Sequence, residues 1–144
     1  MSCNIAGKDF KQELSFDKRF ALAHNILSKY NDRIPIILSP YSKKDPILSK
    51  KRYLVPADIT MCKFIIELRS QMPNIKSGVG IYFYVDAEKQ PDDIGKTSNR
   101  YSMVLVPVSQ LMGPIYDKYK DQDGFLYMVY TTENTFGIDV GITR

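Results

Sequence analysis

The sequence lacks most of the short signatures that commit a chain to a membrane or to a chemistry. No apolar run approaches the ~20 residues that a membrane-spanning helix needs. Met1-Ser2-Cys3-Asn4 shows no charged segment followed by an apolar core, so no secretory leader is expected. Position 2 is not the glycine that myristoylation requires. Cys3 and Cys62 are the only cysteines, too few and too far apart for a disulfide framework or a zinc site, and this usage points to a reduced, cytosolic protein. Cys62 has no evident activating partner and reads as an inert helix residue. His24 is the only histidine, and no second ligand type clusters with it, so no metal centre is expected. Gly78-Val79-Gly80 precedes a strand pattern, the reverse of a dinucleotide loop, which follows one. RNA-binding strand motifs and zinc-finger spacings are missing too, so no nucleic acid partner is expected. The chain reads as neither an enzyme nor a cofactor carrier.

What remains is an ordinary globular composition, 44% hydrophobic and 25% charged over 144 residues. One domain of that length buries roughly two-thirds of its unfolded surface. The net charge of +4 is unevenly placed: residues 8–52 hold eleven Lys or Arg against five Asp or Glu. A basic half of this kind suits an acidic peptide, an anionic lipid surface or simply a solvated face.

Periodicity gives the elements. Residues 10–14 can form one or two helical turns. A second helix opens at Asp17-Lys18-Arg19, with Phe16, Phe20, Ala23, Leu27 and Tyr30 as its apolar stripe and Leu22 and Ile26 as a shorter row beside it. Asn31-Asp32 ends it, and residues 33–38 are β-rich, with Pro35 arguing for an edge, a bulge or a strand start. A second short strand covers residues 52–55 and stops at Pro56. Asp58 or Thr60 can cap a third helix carrying Met61, Phe64, Ile65, Leu68 and Met72. Residues 80–85, almost continuously apolar, read as a well-covered strand. Residues 87–102 are polar, with three positive and three negative charges, and read as an exposed insertion. Ser109 can cap a fourth helix bearing Leu111, Met112, Ile115 and Tyr119. The turn Asp121-Gln122-Asp123-Gly124 leads into a last strand at residues 125–130. The order predicts an α+β chain: a ubiquitin-like β-grasp with a four-stranded mixed sheet and two additional N-terminal helices.

Gly137 stands behind Glu133-Asn134-Thr135-Phe136 and before the polar tail at residues 138–144. Cleavage after it would leave an unhindered carboxylate. Because glycine lacks a Cβ, the backbone there threads a narrow enzyme channel easily. Three longer stretches fall in a recognisable order. They are Arg33-Ile34-Pro35 with Lys51-Arg52-Tyr53-Leu54-Val55-Pro56-Ala57-Asp58, then Lys120-Asp121-Gln122-Asp123-Gly124-Phe125-Leu126-Tyr127, then Glu133-Asn134-Thr135-Phe136-Gly137. Together with Phe10-Lys11, Phe16 and Lys18-Arg19, they resemble the ubiquitin-like modifier family of autophagy (autophagy-related protein eight, GABARAP and microtubule-associated light chain three). The resemblance covers residues 8–137 apart from the insertion.

The resemblance implies a signalling module. It implies a single domain over residues 1–137, with a flexible start at 1–8, and a propeptide at 138–144. A processing cysteine protease would cut between Gly137 and Ile138. Activating and conjugating enzymes would then transfer Gly137 to the amine of phosphatidylethanolamine. A protein monomeric and cytoplasmic beforehand would thus become bound to autophagosome or related vesicle membranes. The family also binds linear peptides with an aromatic residue, two spacers and an aliphatic residue, as found in cargo receptors and adaptors. By carry-over, Ile26, Pro35, Arg52, Leu54 and Phe125 line the aromatic pocket. Tyr53, Val55, Pro56, Ile59 and Phe64 line the aliphatic one, bordered by Glu67, with Arg33, Lys50 and Lys51 as a charged rim. On residue type alone, the apolar members equally suit ordinary core packing. Glu67 departs from the aliphatic residue usual there and is expected to reach solvent or pair with Lys63. Leu22 stands where an acidic residue is common. The insertion is expected to be mobile and dispensable for conjugation. A non-conjugated peptide-binding adaptor of the same fold is the alternative reading, and an anion-binding domain built on the basic half is a third.

Overall fold

Ser15 and Thr60 each stand where the backbone is still extended and place a hydroxyl over the first turn of a helix. Ser15 Oγ accepts from Lys18 N and Thr60 Oγ1 from Lys63 N, satisfying one orphan amide in each case. The computed structural model describes residues 7–72, 75–76, 78–86 and 103–132. The expectations for the chain start, the 87–102 insertion, Gly137 and the 138–144 tail lie outside the described residues. In order, the elements are α1 (Lys8–Glu13), α2 (Phe16–Lys29), β1 (Arg33–Pro40), β2 (Arg52–Pro56), α3 (Met61–Arg69), β3 (Tyr82–Asp86), β4 (Met103–Leu105), α4 (Met112–Tyr119) and β5 (Leu126–Thr131).

The strands form one mixed sheet in the order β2-β1-β5-β3-β4. The two central strands, β1 and β5, run parallel from Ile36 opposite Leu126 to Pro40 opposite Tyr130. Four strands are predicted and five are found. The fifth, β4, is the three-residue run Met-Val-Leu, which pairs antiparallel with β3 from Tyr84 opposite Leu105. Three residues are too few to show a period of two.

Pro35 sits inside β1, which has neighbours on both sides. Leu38 N donates to Lys51 O, and the two-residue alternation therefore turns the amide position of residue 35 away from β2. The ladder with β5 begins only at Ile36, so the missing N–H costs no hydrogen bond. Pro35 is thus the third residue of β1 and precedes only the start of its ladder with β5.

The unbroken apolar run of β1 is buried on both faces. Ile34, Ile36 and Leu38 face a core with Phe64 and Leu68 of α3 and Met112 and Ile115 of α4. Ile37 faces the opposite way, toward Ala23 of α2 with Phe125, Tyr127 and Val129. The expected stripe of α2 is only partly the buried one. Phe16, Phe20 and Tyr30 are 42%, 49% and 47% exposed, whereas Arg19 and Ala23 are buried and Leu22 and Ile26 pack against the second core. The physical reason is Arg19, whose buried ion pair with Asp123 turns that side of the helix toward the sheet. Phe16, Phe20 and His24 stack along the solvent side instead.

Helix α4 is not capped by Ser109. Its N-cap is Leu111, which has no capping side chain; Met112 N donates to Ile59 O and Gly113 N to Ala57 O, each at 2.9 Å. The loop before α3 thus supplies the acceptors that a hydroxyl would have supplied.

Gly124 turns the chain into β5 with φ of 96°. A Cβ there would lie 2.8 Å from Ala23 Cβ. Both the left-handed backbone and the close helix require glycine. Gly124→Ala is expected to lower stability by about 1–3 kcal/mol. The measurement is the urea midpoint at unchanged slope, and an unmoved midpoint would contradict the close approach of α2.

Candidate peptide-binding edge

Strand β2 ends the sheet on one side, so one row of its backbone groups is unpaired within the sheet. Which row follows from register. Lys51 accepts from Leu38 and Ala57 N donates to Asp32 O, so residues 51, 53, 55 and 57 bond inward to β1. The amides of Arg52 and Leu54, and the carbonyls of Arg52, Leu54 and Pro56, then point outward. An extended chain laid along β2 would meet donors and acceptors at strand spacing.

The side chains of β2 divide between the two faces. Leu54 lies opposite Pro35 and Arg52 opposite Ile37, on the side covered by α1 and α2. Ile26 and Phe125 belong to that same cluster. Pro35 and Phe125 are buried, so Ile26, Leu54 and Arg52 form its reachable part. Tyr53 and Val55 lie opposite Ile36 and Ile34 and face α3. There the Tyr53 ring meets Phe64 edge-on at 5.9 Å, beside half-buried Ile59. Val55 and Phe64 are core residues. Pro56 falls opposite Arg33, on the other side of the strand from Tyr53 and Val55. Glu67 is exposed on α3, where its charge is hydrated. Gln71, four residues on, accepts a 3.3 Å hydrogen bond from the Tyr53 hydroxyl. The edge therefore separates two apolar surfaces, with alternate residues of β2 contributing to each.

Lys50, Lys51 and Arg52 gather at one end of β2, whereas Arg33 stands opposite Pro56 at the other end. Arg33, Lys50, Lys51 and Arg52 are all exposed. Arg52 lies over the Phe10 ring at 5.9 Å, and Lys51 stands 3.8 Å from Asp9 of α1. Beside them a cleft of about 860 Å³ runs between α1 and the loop before β2, lined by Phe10, Leu14, Ile37, Leu48, Lys51 and Arg52 among others. Of the predicted site residues only Lys50, Lys51 and Arg52 line it. Phe10 is the site residue that the sequence reading did not assign. Its ring packs edge-on against Phe125 at 5.1 Å, bridging the cleft and the aromatic surface. The four-residue spacing of Phe10 and Leu14 was the available signal, because it gives α1 an inward face.

Beneath this surface, Asp123 Oδ2 accepts from Arg19 Nε at 2.8 Å and from the Tyr127 hydroxyl, while Oδ1 accepts from Phe125 N. Burial, and then the hydrogen bond to Asp123, push the Tyr127 hydroxyl far above its ordinary pKa. The hydroxyl therefore stays neutral within the second core.

Leu54→Pro tests the edge. The lost amide faces away from β1, so the sheet ladder is preserved and the fold is expected to survive. Affinity for an aromatic-x-x-aliphatic peptide is expected to fall by about 2–3 kcal/mol, or about 30- to 150-fold, from one hydrogen bond and one apolar contact. Isothermal titration reads it, and an unchanged affinity would exclude strand addition at β2.

The family described as "Autophagy protein Atg8 ubiquitin like" matches residues 18–104 and 100–137. Autophagy-related protein 8 of Dictyostelium discoideum is 41% identical over 132 residues, covering 91% of this chain and 95% of its own length. Autophagy-related protein 8 of Cochliobolus heterostrophus is 41% identical over 129 residues, covering 89% and 94%. Among solved structures, Plasmodium falciparum Atg8 in complex with a Plasmodium falciparum Atg3 peptide superposes with a TM-score of 0.67 at 30% identity, covering 86% of this chain and 95% of that one. Trypanosoma brucei ATG8 gives a TM-score of 0.67 at 30% identity, covering 85% and 91%. With the β2 edge, the helices over both faces of the sheet and these likenesses in hand, the chain belongs to the Atg8 family of ubiquitin-like autophagy proteins.

Proposed function

We propose that this chain is a non-catalytic modifier, trimmed after Gly137, conjugated to phosphatidylethanolamine, and used on autophagic membranes to recruit proteins through linear peptides. The family membership supports conjugation, because the Glu133-Asn134-Thr135-Phe136-Gly137 segment ends in the glycine that the chemistry uses. The chemistry needs a carboxylate that can be adenylated, carried as a thioester and passed to an amine. A processing cysteine protease would expose it, and activating and conjugating enzymes would transfer it. No described helix is long and apolar enough to cross a membrane, so any membrane attachment would come from the lipid. A diacyl lipid supplies it: one chain holds a protein only marginally, whereas two hold it stably at about 0.8 kcal/mol per buried methylene.

The single observation that carries the peptide-binding half is the β2 edge, with outward amides and carbonyls between two apolar surfaces and a basic rim at one end. The Plasmodium falciparum relative was solved with a peptide of its Atg3 bound, which is in keeping with such an edge. Cargo receptors and adaptors carrying an acidic-flanked aromatic-x-x-aliphatic motif are the partners this surface fits.

Intact-mass measurement on protein from its own cells tests the conjugation half. The expected species has lost residues 138–144 and gained one diacylphosphatidylethanolamine. A full-length, unmodified mass during induced autophagy would leave only the adaptor reading, with peptide titration deciding whether the edge still binds.

A further inference from the structure

A second buried carboxylate has no part in the peptide site. Asp45 lies in the loop after β1 and is 3% exposed. Oδ2 accepts from Ser42 N at 2.9 Å and Ser42 Oγ at 3.3 Å, which closes its own loop. Oδ1 reaches across 86 residues of sequence to the end of β5, where it accepts from Thr131 Oγ1 at 2.9 Å. The same oxygen accepts from Thr132 N at 2.9 Å and Thr132 Oγ1 at 3.4 Å. Two more bonds join the same segments: Tyr41 N donates to Tyr130 O at 2.9 Å, and the Tyr130 hydroxyl donates to Pro46 O at 2.6 Å.

A carboxylate taken out of water is costly unless its lone pairs are filled, and here five neutral donors fill them. A stable loop alone would not need that arrangement. Its geometric effect is at the other end. The ladder of β5 stops at Thr131, paired with Tyr82 of β3, and Asp45 extends the restraint one residue further, to Thr132. From Thr132 five residues lead to Gly137, a reach of at most about 18 Å. Releasing Thr131 and Thr132 would lengthen and loosen that arm, and so spread the positions from which the Gly137 carbonyl is offered.

We propose that Asp45 is a positioning residue for the C-terminal segment, fixing the point from which Gly137 is presented to the enzymes that cut and transfer it. The proposal rests on the conjugation reading above. It is tested on the full chain by two measurements. One is amide exchange at Thr132; the other is the kcat/KM for cleavage after Gly137 by a tail-processing cysteine protease. In Asp45→Ala, exchange at Thr132 is expected to accelerate and kcat/KM to fall about tenfold, mostly through KM, because the loosened arm must be ordered on binding. Exchange at Ile37 and Val129 should stay slow, showing an intact sheet. Asp45→Asn, which keeps one acceptor, should recover part of both losses. If Asp45→Ala does not fold, Thr131→Val with Thr132→Val removes the hydroxyl bonds alone and should give a smaller change of the same sign. A folded variant with a freed Thr132 amide and normal cleavage overturns the positioning role, and a Thr132 amide still protected in Asp45→Ala overturns the clamp itself. A wild-type chain left uncut overturns the conjugation reading beneath the proposal.

Discussion

Gly137→Ala is expected to leave a folded, soluble chain that never enters the membrane fraction. Gly137 comes six positions after the end of β5 in the sequence, and thermal unfolding and peptide titration at the β2 edge are expected to match wild type. On the proposed reading the defect arises in chemistry, where the residue would pass through enzyme channels and present an unhindered carbonyl to an amine. On the proposed conjugation reading attachment depends on the diacyl lipid, so its loss is expected to be complete rather than partial. Flotation of vesicles on a density gradient, with an intact-mass check on each fraction, measures the outcome. A lipid-modified Gly137→Ala chain recovered with the vesicles would refute assignment of the acceptor to this residue.

The second large effect is internal. Asp123→Ala is expected to cost about 3–5 kcal/mol, because it leaves Arg19 buried without its counter-charge. The side chains of Arg19 and Asp123 are 10% and 0% exposed, and the carboxylate also holds the Tyr127 hydroxyl and Phe125 N. Arg19 in turn donates to Leu14 O at 2.8 Å and Lys11 O at 3.3 Å, so the same unit fixes the corner between α1 and α2. Asp9→Ala is the contrasting case. Its partner Lys51 is 3.8 Å away with both side chains mostly in solvent, and its loss should cost less than about 1 kcal/mol. Urea unfolding of the two variants side by side checks the ranking. Equal, small losses would mean that water reaches Arg19 freely.

Much of this was legible from residue type. The β1–β2 edge follows from two short apolar runs around a polar loop, and of the two caps the sequence offers for α3, Asp58 and Thr60, the structure uses Thr60. The order of helices and strands is correct except for β4. Other features could not be read because their causes are distant in sequence. The rotation of α2 depends on Arg19 meeting Asp123, 104 positions away, and no local moment records that pairing. Asp45 reads as a loop aspartate until Thr131 is brought beside it. Ser109 is a sound cap by composition, but the carbonyls of Ala57 and Ile59 take its role. At the candidate site, the motif supplied the residues and only the register supplied their faces, placing Pro56 across the strand from Tyr53 and Val55.

The central place of β5 also has a consequence for biosynthesis. Because this strand lies between β1 and β3, a nascent chain on the ribosome cannot close its sheet until residue 131 has been made. Until then, β1 and β3 each carry a bare edge, open to chaperones and to misassociation with other unfinished chains. The sheet is thus completed only once that strand has emerged, just ahead of the glycine that the proposed processing would cut.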